Sequence, residues 1–173
     1  MGDAQFHHKI VALDPQFYSV PEFDLPNATY EIASHEVRNA TDVARFIQDA
    51  TIVIAPVLVL GAEALSERNA PQLQFISWVA SGTDTLDLEA CKRRGIKVSN
   101  GAQANTQAVS EHAIGFYFAV RRRVMQSHLL VRSRGGWNSM RDTVNLMRGN
   151  DGLLPLSCSQ EVLGIVGYGS IGE

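Results

Sequence analysis

The feature that most restricts this chain is a series of short apolar runs separated by stretches of helix length: KIVAL (Lys9–Leu13), TIVIA (Thr51–Ala55), LQFISWV (Leu73–Val79) and IKVS (Ile96–Ser99). A strand with one wet face alternates apolar and polar residues. TIVIA is apolar throughout, as required of a parallel strand covered on both faces. Parallel neighbours cannot be joined by a hairpin, so each run needs a crossover behind it. In Asp42–Gln48, Val43, Phe46 and Ile47 share one helical face, with Thr41 as the candidate N-cap. Ala62–Arg68 reads as a weaker helix. Leu86–Arg94 has Asp84, Asp87 and Glu89 at its start, Lys92, Arg93 and Arg94 at its end and Gly95 beyond, an order that suits the helix dipole and a left-handed cap. Tyr30–Ala33 is expected as a short second strand after Pro15, Pro21 and Pro26 have made the preceding stretch irregular. The fold class is therefore α/β with a parallel sheet.

Composition removes other classes. With 45% hydrophobic and 19% charged residues, the 173-residue chain is neither disordered nor of low complexity. Its longest apolar run, Thr51–Ala62, is interrupted by Pro56 and is far short of the ~20 residues that span a bilayer. The start, MGDAQFHHKI, has no apolar signal core and places Phe6 where myristoylation wants Ser or Thr, so a cytoplasmic location without membrane attachment is expected. Cys91 and Cys158 stand alone, with no CxxC and no clustered His, and read as reduced structural thiols rather than a disulfide or metal site. Residues 90–150 hold 11 basic residues against Glu111 and Asp142, although the whole chain has a net charge of -3. Such a segment could follow a phosphate backbone, but no aromatic platform or zinc-finger spacing accompanies it. A solvated helix face or an anionic-ligand pocket is the better reading, and no nucleic-acid partner is expected.

The second half opens with a helix from Thr106, with Asn105 or Thr106 as its cap. Its Ala108, Val109, Ala113, Ile114, Phe116, Tyr117, Phe118, Ala119 and Val120 are apolar nearly all round, which calls for burial, and Arg121–Arg123 marks its emergence into water. Arg132–Pro155 has little periodicity and reads as a long connection. The chain closes on EVLGIVGYGSIGE. Val162–Val166 reads as an apolar, β-branched strand feeding Gly167, Gly169 and Gly172. In a dinucleotide fold these glycines give, in turn, the tight turn, the close approach of pyrophosphate and the close helix–strand contact. On the glycines alone a hairpin or an unrelated strand-turn-helix stays open.

Taken together, SGTDTLDLEACKRRGIKVSN, ANTQAVSEHAIGFYFAVRRR, Gly136-Trp137 and EVLGIVGYGSIG, in this order and spacing, resemble the D-isomer-specific 2-hydroxyacid dehydrogenase family. That family includes glycerate, phosphoglycerate and formate dehydrogenases and glyoxylate or hydroxypyruvate reductases. The resemblance is dense from Trp78 to Gly172 and thinner from Lys9 to Val79. It implies a flavodoxin-like substrate domain over residues 1–100, then an interdomain helix and the truncated start of a Rossmann domain over 101–173. The implied cofactor is NAD or NADP, the implied substrate a small 2-hydroxy or 2-keto acid, and a family-type homodimer is open to it.

Carried over by residue, the resemblance has Ser81 and Gly82 offer backbone N–H groups to the substrate carboxylate. It puts Thr106 against the nicotinamide side of the cofactor. Gly167, Gly169 and Gly172 become the dinucleotide loop, with Ser170 and Ile171 giving N–H groups to the pyrophosphate. The residues themselves also allow an ordinary strand-to-helix turn at Ser81–Asp84 and a simple N-cap at Thr106. Family catalysis uses an Arg, a Glu and a His downstream of the glycine loop, so no catalytic residue is assigned here, and no metal ligand. Glu111 and His112 are adjacent and point about 100 degrees apart on a helix, which argues against a direct acid–base pair. The reading is an N-terminal fragment of an NAD(P)-dependent D-2-hydroxyacid dehydrogenase, inactive alone. The alternative is a non-catalytic module that binds a carboxylate or pairs with other subunits.

Overall fold

In the computed structural model, which describes residues 6–133 and 140–173, the chain divides into two compact units, Met1–Ala104 and Asn105–Glu173. The first unit is built on five strands: β1 Phe6–Leu13, β2 Ala28–His35, β3 Ile52–Ala55, β4 Phe75–Trp78 and β5 Lys97–Asn100. All pairings are parallel and the order is β2-β1-β3-β4-β5, the flavodoxin-like order. Pairing lengthens the first two strands beyond their apolar centres. β1 and β2 run in register from Phe6 opposite Ala28 to Leu13 opposite His35.

The core follows from the two-residue repeat of the inner strands. Val11 and Leu13, Val53 and Ala55, and Ile76 and Trp78 turn one way and are buried with Val43, Ile47, Leu60, Leu65, Ala90 and Cys91. Ile10, Ala12 and Ile54 turn the other way and are buried too, so β1 and β3 are apolar on both sides, while β4 turns half-buried Phe75 and Ser77 that way. Full burial of one such aliphatic side chain stabilises by about 1.5–3 kcal/mol. Burial also pushes the Cys91 thiol above its ordinary pKa, with Asp87 adding to the shift, so this cysteine stays a neutral packing group.

Helix α1, Ala40–Phe46, starts one residue before the expected cap. Asn39, not Thr41, is the N-cap: its Oδ1 accepts the N–H groups of Thr41 at 3.1 Å and Asp42 at 3.0 Å. Helix α2 runs Leu88–Arg94 rather than from Leu86, because Leu86 forms a bridge with Leu60 while Leu60 accepts the Asp87 N–H at 2.9 Å. Asp87 then caps the helix by accepting the Ala90 N–H at 2.8 Å, and Gly95 closes it at φ 70, where other residues are strained. The expected helix over Ala62–Arg68 is a series of turns instead. Arg94 donates to Leu65 O at 2.7 Å and, just beyond the segment, to Ala70 O at 2.8 Å, tying these turns to the end of α2.

The second unit contains α3 Thr106–Arg121, α4 Val124–Arg132 and α5 Met140–Met147. Here two expectations are corrected. Helix α3 has no buried residue, and Ile114, Phe116, Phe118 and Val120 are exposed. Val162–Val166 is not a strand, and Val162 and Val166 are fully exposed. Both have the same physical reason. A strand is held by hydrogen bonds to neighbours and an apolar helix by cover, and among the described residues nothing supplies either. The expected connection over Arg132–Pro155 contains α5, and Gly136-Trp137 lies outside the described residues.

Tyr18 joins the carboxyl ends of β1 and β3, since its hydroxyl lies 2.8 Å from Leu13 O and 2.9 Å from Ile54 O. Burial, and then the charge of Asp14, raise its pKa from 10.0 to about 12. Between these values an unfolded chain ionises at Tyr18 while the folded one keeps its proton, so stability is intact below pH 10 and falls as pH rises towards 12. Tyr18→Phe is expected to cost about 1 kcal/mol at neutral pH and to flatten the alkaline loss measured by denaturant unfolding. An unchanged alkaline slope would remove Tyr18 as its source.

Candidate functional site

One candidate site lies at the carboxyl edge of the first unit, where β4 runs into Val79–Asp84. The parallel register sets Trp78 beside Asn100, the last residues of β4 and β5. From there three consecutive carbonyls are held. Gly101 N donates to Ala80 O at 3.0 Å, Asn100 Nδ2 to Ser81 O at 2.8 Å, and Trp78 Nε1 to Gly82 O at 2.8 Å. Ser81 Oγ donates to Gly101 O at 3.2 Å and closes the arrangement. Ser81 and Gly82 thus stand just past a strand carboxyl end, where open α/β sheets bind ligands. A Cβ at Gly82 would lie 2.9 Å from an Asp84 carboxylate oxygen. That nearby negative charge means an anion at Gly82 must be held by directed N–H groups rather than by net charge.

The second candidate lies within the other unit. Thr106 is the first residue of α3 rather than its cap, and Asn105 holds the N-cap position. One turn on, Ser110 Oγ lies 2.9 Å from Thr106 O and 3.1 Å from Ile171 O, so the start of α3 and the glycine loop are brought together. Sequence reasoning missed Ser110; its only signal was a lone polar residue one turn from Thr106 on an apolar helix. Gly167 sits at φ 89, and a Cβ on Gly172 would come 2.8 Å from Gly167 O. Gly172 N and Glu173 N donate to Gly169 O at 2.8 and 3.0 Å, making a single helical turn. A Cβ on Gly169 would meet nothing within 4 Å. The glycine geometry is compatible with a pyrophosphate loop: the two outer glycines are required by the turn itself and the middle one leaves open space. On the same side of α3, Glu161 accepts from Tyr117 Oη at 2.5 Å and forms a two-point ion pair with Arg121. That pair anchors the segment leading into the loop.

No catalytic constellation accompanies these loops among the described residues. Glu111 accepts from Gln107 Nε2 at 3.0 Å, while His112 lies edge-on to Phe116, so the adjacent acid and imidazole do not meet. His7 and His8 bond to Thr29 and Thr51, and His35 stacks on Phe46. Among the described residues no group of three or more His, Cys, Asp and Glu could hold a metal ion, and no helix is long and apolar enough to cross a membrane.

A parallel 2-1-3-4-5 sheet with a fixed loop past β4, followed in the chain by a glycine turn, defines a flavodoxin-like α/β protein. The profile of the D-isomer specific 2-hydroxyacid dehydrogenase catalytic domain matches residues 10–167, and the chain belongs to that family. It is 30% identical over 168 residues to glycerate dehydrogenase of Methylorubrum extorquens, covering 95% of this chain and 50% of that one. It is 37% identical over 121 residues to a glyoxylate/hydroxypyruvate reductase of Arabidopsis thaliana, covering 70% of this chain and 34% of the other. Among solved structures, D-mandelate dehydrogenase of Rhodotorula graminis superposes with a TM-score of 0.69 at 19% identity, over 97% of this chain and 51% of that one. D-lactate dehydrogenase of Aquifex aeolicus, complexed with NAD and lactic acid, gives 0.64 at 22% identity, over 94% and 45%. These two likenesses concern the fold. The chain spans about half the length of the curated relatives it matches most fully.

The Gly172 contact makes a direct forecast. In Gly172→Ala the new methyl meets backbone, not a flexible side chain, so the turn must open. The Gly169 carbonyl should lose both donors, and hydrogen exchange at the amides of residues 172 and 173 should accelerate. Unchanged exchange would show that the turn yields at no cost.

Proposed function

We propose that this chain supplies the substrate-binding half of an NAD(P)-dependent D-2-hydroxyacid dehydrogenase. The reaction is reversible hydride transfer between a nicotinamide and C2 of a small 2-hydroxy or 2-keto acid. Residues 1–100 serve as the substrate domain, and 101–173 as the interdomain helix and the start of the dinucleotide-binding domain. The observation that carries this reading is the family match over residues 10–167, from within β1 to the first glycine of the loop. The matched glycerate dehydrogenase and glyoxylate/hydroxypyruvate reductase support the substrate class, and neighbours complexed with NAD or NADPH support the cofactor.

In this proposal Ser81 and Gly82 bind the carboxylate of the acid through backbone N–H groups, which fixes the orientation of C2. Thr106 lies against the nicotinamide side, and Gly167, Gly169, Ser170, Ile171 and Gly172 receive the pyrophosphate. When bound, nicotinamide supplies or accepts the hydride, and the protein contributes orientation and electrostatics. The proton that must accompany hydride has no carrier among the described residues, because no imidazole there is hydrogen-bonded to a carboxylate. The 173-residue chain by itself is therefore expected to bind a keto acid without reducing it. A second reading, a non-catalytic module that pairs with other subunits, draws on the exposed Ile114, Phe116 and Val120 of α3. A homodimer built on this helix belongs with it.

The test is NADH oxidation by the purified chain with glyoxylate and hydroxypyruvate, run beside calorimetric titration of NADH. No turnover and weak dinucleotide binding are expected, since the pyrophosphate N–H groups are backed by a single turn rather than a helix and its dipole. Turnover above the buffer blank that disappears on changing one of this chain's residues would overturn the proposal, as would tight NADH binding.

A further inference from the structure

We propose that Trp78 and Asn100 are positioning residues for the carboxylate loop: by holding the carbonyls of Gly82 and Ser81, they turn the N–H groups of Thr83 and Gly82 outward. The inference rests on the reading of Ser81–Gly82 as the carboxylate site, extends that site to the Thr83 N–H, and adds what gives the loop its direction. Loops past strand ends are ordinarily adaptable, and an adaptable loop is a poor anion site because its N–H groups must be ordered at the moment of binding. Here the ordering is already present. Among the described residues no peptide bond is cis, so each C=O in this loop points opposite to the N–H of the following residue. Holding Ser81 O therefore sets the Gly82 N–H, and holding Gly82 O sets the Thr83 N–H. The donors come from β5 and β4, at 2.8 Å in each case, and the Gly101 N–H treats Ala80 O in the same way. Three successive carbonyls face the strands, so the N–H groups that follow them face away. Among the described residues neither the Gly82 nor the Thr83 N–H has an acceptor in the protein.

The two donors are rigid for different reasons. Trp78 is 1% exposed and belongs to the buried core cluster, so its indole N–H is held in place. Asn100 is exposed, but its backbone is fixed by the ladder opposite Trp78. An indole and an amide can donate here without adding positive charge. That suits a site beside Asp84, where a lysine or arginine would be drawn to the resident carboxylate instead. The donors do not touch the bound acid in this scheme. They act through the backbone of Ser81–Thr83, and glyoxylate is their smallest suitable probe.

The experiment is a glyoxylate titration of the 173-residue chain followed by amide NMR, on wild type, Trp78→Phe, Asn100→Ala and, as a packing control, Ile76→Val. In wild type the Gly82 and Thr83 amide signals should move with glyoxylate. Trp78→Phe and Asn100→Ala should each weaken the fitted Kd about tenfold, the effect of misdirecting one charge-assisted hydrogen bond. Ile76→Val thins the core without touching the loop and should leave Kd unchanged. Before glyoxylate is added, Trp78→Phe should shift the Gly82 carbonyl carbon and Asn100→Ala that of Ser81. A wild-type loop that moves with glyoxylate, joined to variants of unchanged Kd, would overturn the positioning role alone. A wild-type loop indifferent to glyoxylate would overturn the carboxylate reading and this inference with it. Equal weakening by Ile76→Val would assign the effect to packing and likewise overturn the role.

Discussion

The backbone groups of β1, β3 and β4 set the terms for the rest of the first unit. β1 and β3 are buried on both faces towards their carboxyl ends, and β4 is buried on one face and half-buried on the other, where an unpaired N–H or C=O costs as much as a lost hydrogen bond. Each must therefore lie between two others, and β2 and β5 close the sheet on either side. The parallel sense requires every connection to return across the sheet, so the crossovers α1 and α2 bring Val43, Ile47, Ala90 and Cys91 onto the inner strands. The same requirement accounts for the other end of the chain. Ile52–Ala55 and Val162–Val166 are almost equally apolar, yet one is a strand and the other is not. The difference lies in the neighbours available to each.

The edge formed by the carboxyl ends of β4 and β5 follows from register rather than from any special residue. Pairing Trp78 with Asn100 puts an indole and an amide side by side at the point where the chain leaves the sheet. The turn that follows is then fixed by its carbonyls and leaves N–H groups to the solvent side. In the proposed site, the binding surface is main chain, with side chains acting behind it. Such a surface tolerates broad change at its own residues, provided Gly82 keeps clear of Asp84.

Much of the sheet was legible because burial on both faces writes itself directly into composition: TIVIA could be little else. The helices were legible through their caps, and the errors there were local. Thr41 and Asn39 are both good capping residues, and extended backbone at Asn39 decides between them. Leu86 was drawn out of α2 by a bridge to Leu60, a contact between residues far apart in sequence that no local pattern contains. The turns over Ala62–Arg68 depend likewise on Arg94, whose guanidinium gave no hint of a structural role within a basic cluster. Of the proposed site, Ser81, Gly82 and the three loop glycines were nameable from sequence. Trp78, Asn100 and Ser110 were not, because their part is to bond main chain, and main-chain acceptors leave no mark on residue type.

The hydroxyl of Tyr18 has a consequence for the geography of binding on this sheet. In the 2-1-3-4-5 order, strand connections leave in opposite directions from β1 and β3, and the crevice between their carboxyl ends is where such sheets ordinarily take a ligand. Here a phenol from the chain's own first crossover occupies it, 2.8 Å from the last carbonyl of β1 and 2.9 Å from that of Ile54, one residue before the end of β3. The protein has in effect supplied its own ligand at the customary place. The end of β4 is the next point along that edge where the chain leaves the sheet, with the Ser81 and Gly82 carbonyls held by Asn100 and Trp78.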